Sequence, residues 1–86
     1  MGLPFKERVD GNVHVRKFSS DVNDDELVWH RDKEDRIIEI IQNDGWLFQY
    51  DNELPFIMEE SFFVPKNTFH RVIKGDGDLI VKVKKL

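Results

Sequence analysis

His30 and Asp32 stand one residue apart in the segment VWHRDKEDR, which ends at Arg36. Imidazole nitrogens and carboxylate oxygens are both ligands of transition metals. In an extended strand, residues i and i+2 point to the same face, so these two side chains would lie together. The segment is also crowded with opposite charges, as a surface strand held by ion pairs would be. Its composition therefore leaves two interpretations open, half of a metal site or a salt-linked strand.

The bulk composition limits the class of protein. The chain has 86 residues, enough for a single domain over residues 1–86, in which we expect residues 1–12 to form an N-terminal arm. Cysteine is absent, which excludes disulfides and zinc fingers and is typical of a reducing compartment. No apolar run approaches the ~20 residues of a membrane span, and the N-terminus lacks the apolar region of a signal peptide. We expect a cytoplasmic protein with no membrane partner, and the net charge of −4 argues against nucleic acid as a partner.

Turn residues recur at short intervals, and the runs between them are rich in Val, Ile, Phe, Trp and Tyr. This pattern predicts an all-β fold, an antiparallel barrel or sandwich of about eight strands. Asp44-Gly45 separates RIIEIIQ from WLFQY and predicts a hairpin, since this dipeptide tolerates positive φ values. In the last segment, DLIVKVKKL, Leu79, Val81 and Val83 alternate with lysines and predict one buried face. Lysines in such a position often protect an edge strand.

A helix is the alternative for residues 24–44. The four isoleucines of RIIEIIQ have helical spacing, and Asp24 is a suitable cap. We favour a strand, because four β-branched residues suit an extended segment buried on both faces. The aromatic segment after Gly45 also needs a pairing partner.

Two segments share a recognisable order and spacing, His30-x-Asp32-x-x-x-Arg36 and EESFFVPKNTFHRVIK, which ends at Lys74. Together they resemble the two motifs of the cupin superfamily. The first cupin motif has His-x-His, a Glu three or four residues later, and then a Gly. His30 and Asp32 match the His-x-His positions. Arg36 stands where the Glu is expected, and Gly45 follows a little late.

The second cupin motif has Gly, five residues, Pro-x-Gly, two residues and His. Glu59 takes the first Gly position and Pro65 matches the Pro. Asn67 replaces the second Gly, a mild change because Asn tolerates left-handed backbone, and His70 matches the His. The resemblance covers about residues 26–74. It implies a small cupin-like antiparallel β-barrel, the jelly-roll or double-stranded β-helix.

The resemblance further implies that His30, Asp32 and His70 converge in the barrel mouth and hold a divalent metal: Fe(II), Mn, Ni or Zn. Two imidazoles and one carboxylate form a facial triad, which suits Fe(II) and leaves positions open for dioxygen or substrate. Cupins usually use the Glu as a ligand, so Arg36 is the departure that matters. Either it clamps the carboxylate of a substrate, or it pairs with Asp32 in a pocket without metal. In the second case, removing Asp32 would strand a buried arginine and cost about 3–5 kcal/mol.

The two possible roles of Arg36, with and without a bound metal, correspond to two functions. The first is a metal-dependent dioxygenase or isomerase acting on a small anionic organic molecule, with Arg36 and Gln49 as substrate-binding residues. The second is a metal-free module that binds a small ligand or serves in assembly without catalysis. Trp29, on the strand face opposite His30, suggests a covered surface and hence a homodimer.

Overall fold

The computed structural model describes residues 4–86 of the chain. Within this range the chain forms two antiparallel sheets that pack around a common core. The strands are β1 Lys6–Asp10, β2 Val13–Phe18, β3 Arg36–Asn43, β4 Leu47–Tyr50, β5 Phe56–Ile57, β6 Phe62–Val64, β7 His70–Ile73 and β8 Leu79–Lys85. The larger sheet has the order β1-β2-β8-β3-β6 and the smaller one β5-β4-β7. The prediction of an antiparallel all-β fold is confirmed, although these two sheets are not joined into one closed barrel.

β8 has the buried face that its alternating sequence predicts. Leu79, Val81 and Val83 are nearly inaccessible to solvent, while Lys82 and Lys84 are exposed. The expectation of an edge strand is wrong, because β8 lies between β2 and β3 in the larger sheet.

The two edges of the larger sheet are formed by β6 and by β1, whose five residues are all exposed. This strand lies in the segment that we expected to be an N-terminal arm, and it is paired with β2 over its whole length. Residues 1–3 of the expected arm lie outside the described residues.

The helix alternative is wrong. Residues 24–44 contain a single turn of 3-10 helix, Asp24–Glu26, and the strand β3. The expected burial of β3 on both faces is also wrong, since Ile37 is 36% and Ile41 50% exposed. Ile38 and Ile40 are half-buried and pack against the core. One face of β3 therefore faces the interior and the other faces outward.

The expected hairpin between β3 and β4 does not form. β3 pairs with β6 and β8, whereas β4 pairs with β5 and β7, so the turn carries the chain from one sheet to the other. Gly45 does have the positive φ expected of it, +85°. The Asn43 side chain holds the crossing by accepting a hydrogen bond from the Trp46 N–H and donating to the carbonyls of Trp46 and Met58.

The core lies between the two sheets. Its largest member is Trp46, which is fully buried and donates from its indole Nε1 to the Gly77 carbonyl at 2.7 Å. Phe48 and Val64 are buried with it, one from each sheet. A search of the described residues finds no helix that is both long and apolar enough to cross a membrane.

Candidate metal centre

The two predicted motifs meet through backbone hydrogen bonds. His30 lies outside the regular strands but forms an antiparallel bridge with His70, the first residue of β7, with N···O distances of 3.0 and 2.9 Å. The Asp32 carbonyl then accepts a bond from the Asn67 N–H at 2.7 Å. Asn67 has a φ of 61°, the left-handed conformation that an Asn tolerates in place of Gly. The turn before β7 is thereby fixed against the segment that carries His30 and Asp32.

The side chains of His30, Asp32 and His70 converge. One potential ligand atom from each lies within 4.8 Å of the other two. His70 is buried, Asp32 is half-buried and His30 is exposed, so the group is open to solvent on the side of His30. The Phe48 ring stacks on the His70 imidazole with the ring centres 5.3 Å apart, which restricts the orientation of that imidazole. A group of this composition fits a facial triad.

Each imidazole is oriented by a carbonyl two residues before it. His70 Nδ1 lies 2.8 Å from the Thr68 carbonyl, and His30 Nδ1 lies 3.0 Å from the Val28 carbonyl. A carbonyl oxygen can only accept, so each Nδ1 carries the proton, and each Nε2 has a free lone pair when the ring is neutral. Backbone carbonyls commonly fix metal-binding histidines in this way.

The buried histidine is held in its neutral form. Burial lowers the pKa of His70 below its usual value, and the positive potential of His30 and Arg36 acts in the same direction. The Thr68 carbonyl and Asp32 oppose this shift without reversing it.

A neutral His70 leaves a gap in the hydrogen bonding of the site. Its Nε2 lies 3.3 Å from Asp32 Oδ2, and Oδ2 is buried without a hydrogen-bond partner among the described residues. Two lone-pair atoms therefore face each other, an arrangement that a cation bound by both atoms would stabilise. A divalent metal would satisfy both atoms, and on this ground the residues fit a metal ion.

Arg36 reaches the same carboxylate from the other side. Its Nη2 lies 3.3 Å from Asp32 Oδ1. Its Nε and Nη2 donate to Glu34 Oε1 at 3.0 and 2.7 Å, and these bonds lower the pKa of the Glu34 carboxyl. Glu34 thus offsets much of the Arg36 charge, which weakens the repulsion that this arginine would exert on a dication. The Asp32 oxygen that faces His70 stays free.

A cavity of about 270 Å3 lies beside these residues. His30, Asp32, Arg36 and His70 all line it, so the cavity gives a small molecule access to the triad and to Arg36. Most of the remaining lining is apolar and comes from both sheets, including Phe18, Phe48, Val64, Val72, Leu79 and Val81.

Solved structures with the same architecture identify the fold. A cupin domain from Bordetella pertussis superposes with a TM-score of 0.65 at 17% sequence identity, over 100% of this chain and 98% of that one. A cupin-2 domain-containing protein from Shewanella frigidimarina gives 0.62 at 12% identity, over 100% and 85%. The chain has a cupin fold.

A third structure, a protein from Neisseria meningitidis, superposes with a TM-score of 0.58 at 13% identity, over 95% of this chain and 81% of that one. No protein-family model matches the sequence, and a search of curated proteins gives no significant match. The predicted resemblance to cupins is thus confirmed by the fold, at low sequence identity.

Within this fold the predicted ligands His30, Asp32 and His70 lie close together, and Arg36 lines the adjoining cavity. Gln49 is not brought to the cavity. It lies beside the buried Phe48 on β4 and therefore points to the other face of that strand. Its side chain accepts a bond from Arg71 at 2.9 Å and donates to the Glu53 carbonyl at 2.8 Å.

Sequence reasoning missed the groups that support the triad. Glu34 could have been found, because a carboxylate two residues from an unexpected Arg36 is a natural partner for its charge. The Val28 and Thr68 carbonyls leave no sequence signal, since every residue has a carbonyl. They can be recognised only once the backbone places them beside an imidazole.

The lowered pKa of His70 predicts how stability depends on pH when no metal is bound. An unfolded histidine titrates near 6.5, and the folded one titrates lower, so the unfolded state binds more protons between these values. We expect the free energy of unfolding to fall as the pH drops below about 6.5 and to level off below the folded pKa. Urea unfolding with chelator present, measured over this range, tests it. In His70→Gln the slope should disappear, and an unchanged slope in that variant would assign it to another group.

Proposed function

We propose that the chain binds one divalent transition metal ion through His30, Asp32 and His70, and that it acts on a small organic molecule in the adjoining cavity. The observation that carries the proposal is the pair of lone-pair atoms, His70 Nε2 and Asp32 Oδ2, at 3.3 Å. The Nδ1 contacts of both imidazoles support it, because they leave both Nε2 atoms available. Fe(II), Mn, Ni and Zn are all compatible with two imidazoles and a carboxylate.

Such an ion would supply Lewis-acid chemistry and, in the case of iron, redox chemistry. The protein residues would hold the metal ligands in place and orient the small molecule. Asn67 holds Asp32 in place by donating its backbone N–H to the Asp32 carbonyl, and Arg36 does so by contacting Asp32 Oδ1. The apolar walls of the cavity exclude water from the ligand. A divalent ion at the triad would attract an anionic group, and Arg36 lines the same cavity, so a small anionic molecule is the ligand best supported. Dioxygenase or isomerase chemistry on it is what the resemblance to cupins implies.

Metal titration tests this proposal. Chelator-treated protein is titrated anaerobically with Fe(II), Mn(II), Ni(II) and Zn(II) in a calorimeter. We expect one site per chain. The iron-loaded protein is then screened for oxygen consumption with small organic acids. The metal proposal fails if none of the four ions binds.

The contact between Arg36 and Asp32 favours a second candidate function. With an Nη2···Oδ1 distance of 3.3 Å, the arginine can neutralise the carboxylate without a metal. The chain would then be a metal-free module that binds a small ligand or serves in assembly. The same titration separates the two, because this candidate predicts no metal binding.

We also propose that the chain forms a homodimer and is located in the cytoplasm. The exposed Trp29 supports the first, since 41% of its surface is accessible although it lies under Arg71, whose guanidinium is 4.7 Å from the ring centre. The absence of cysteine from the sequence supports the second.

A further inference from the structure

Apolar residues outnumber polar ones in the lining of the cavity beside the triad. Val83 and Val81 follow one another along the inner face of β8 and lead to Leu79. Val83 lies opposite Ile38 and Val81 opposite Ile40, so β3 continues the same apolar surface.

The opposite wall comes from the smaller sheet and from the segments beside it. Phe48 and Val72 line the cavity from β4 and β7, and Met58 follows β5. Phe48 and Met58 are almost completely buried. Polar groups are therefore concentrated at the triad, and the remainder of these walls offers a ligand apolar contact.

Arg16 and Glu26 are the further charged groups that the structure places in the lining. Arg16 lies opposite Val81 in the pairing of β2 with β8. Its Nε donates to Glu7 at 2.6 Å, and its guanidinium lies 4.4 Å from the centre of the Phe5 ring. Its charge is thus already paired with a carboxylate of the protein. Glu26 is half-buried and negative, so it would repel an anion. Arg36 is also paired, with Glu34 and Asp32, but it lies beside the triad, where a bound metal ion would attract an anionic group.

We infer that the ligand of this cavity is a small amphiphile, with a polar or anionic head beside the triad and Arg36 and an apolar body against the apolar lining residues. A cavity of 150 Å3 lined by Leu, Ile and Phe is large enough for benzene. The 270 Å3 found here accommodates one ring or a short branched chain in addition to the head. The position of the head rests on the proposed function, whereas the apolar body does not depend on a metal.

Two matched series of probes test the inference. Acetate, butyrate, hexanoate and octanoate are titrated into metal-free and metal-loaded protein, and the methyl NMR signals of Val81 and Val83 are followed. The alcohols of the same lengths form the second series. Each buried methylene should raise the affinity about fourfold until the cavity is filled. Each acid should bind more tightly than its alcohol.

A variant that fills the cavity localises the effect. In Val72→Phe the rise in affinity should stop at a shorter chain, because the ring occupies part of the space. Ile57→Phe is the matched control, since Ile57 lies on β5 with 58% of its surface exposed, away from the cavity lining. It should leave the dependence on chain length unchanged.

The outcomes separate this inference from the proposed function. An affinity that does not increase with chain length overturns the amphiphilic ligand, as does a complete failure of the probes to bind, even if the protein binds metal. An increase in metal-free protein that shows no metal binding supports the apolar body and contradicts the proposed metal site.

Discussion

Replacing Gly75 with alanine is expected to remove a large part of the protein's stability. A Cβ at this position would come within 2.5 Å of the backbone of Asp44, Gly45 and Trp46, where no flexible side chain can move aside. Asp44 is held in place because its carbonyl accepts a bond from the Asp76 N–H at 2.9 Å. We expect a loss of about 4 kcal/mol or more, and a domain of this length has only about 4–13 kcal/mol of stability.

Gly11→Ala is the matched control for this prediction. Gly11 has a positive φ, 62°, and no atom lies within 4 Å of the site of its Cβ. Its loss should be limited to backbone strain of about 1–2 kcal/mol. Urea unfolding followed by circular dichroism measures both variants. Equal losses at the two glycines would show that the contact between residues 75 and 44–46 is not as close as described.

The second large effect concerns metal binding by His70→Ala. A lost outer-shell partner already costs a metal site about 10–100-fold in affinity, so removing a ligand should cost more than about a hundredfold. The matched control is His14→Ala. This histidine is similarly shielded, but its Nδ1 lies 3.1 Å from Glu7, outside the triad. Calorimetric titration of the two variants gives the comparison, and equal affinities would remove His70 from the metal site.

Asp32→Asn distinguishes a metal ligand from a salt-bridge partner. The sequence led us to expect a loss of about 3–5 kcal/mol on removing Asp32 if the pocket is salt-bridged. In the structure Glu34 makes two further bonds to Arg36, so the arginine would not be stranded. The metal-free variant should lose about 1 kcal/mol while metal binding is abolished. A loss of 3 kcal/mol or more would make the Asp32–Arg36 pair the main role of this carboxylate.

The fold was predictable where the sequence has a strong period. The alternation of apolar residues and lysines identified the inner face of β8, because a strand with one buried face requires it. Its place in the sheet was not predictable, since the neighbour that removes β8 from the edge is β2, far away in the sequence. The residues Asp44-Gly45 predicted the local backbone conformation correctly, but the predicted pairing of β3 with β4 is wrong. A hairpin and a crossing between sheets share the same turn residues.

The candidate site likewise has parts that the sequence predicted and parts that it did not. The spacing of His30 and Asp32 correctly predicted that their side chains lie together. Their segment is mostly irregular, but the bridge to His70 keeps it extended at this point. The resemblance to cupins supplied His70. The orientation of Gln49 depends on which face of β4 is buried. The pattern of aromatic residues around Gln49 in the sequence did not determine which face that is. Glu34 was missed because its importance follows from Arg36, whose direction only the folded chain reveals.

The most direct test of the metal centre is the metal content of the protein as it is purified. Untagged protein is prepared without chelator and analysed by plasma mass spectrometry, with His70→Ala prepared in parallel. We predict close to one equivalent of iron, manganese, nickel or zinc per chain in the wild type and almost none in the variant. A wild type that holds no metal, and takes up none when the four ions are added, would contradict the account and leave a salt-linked pocket without metal.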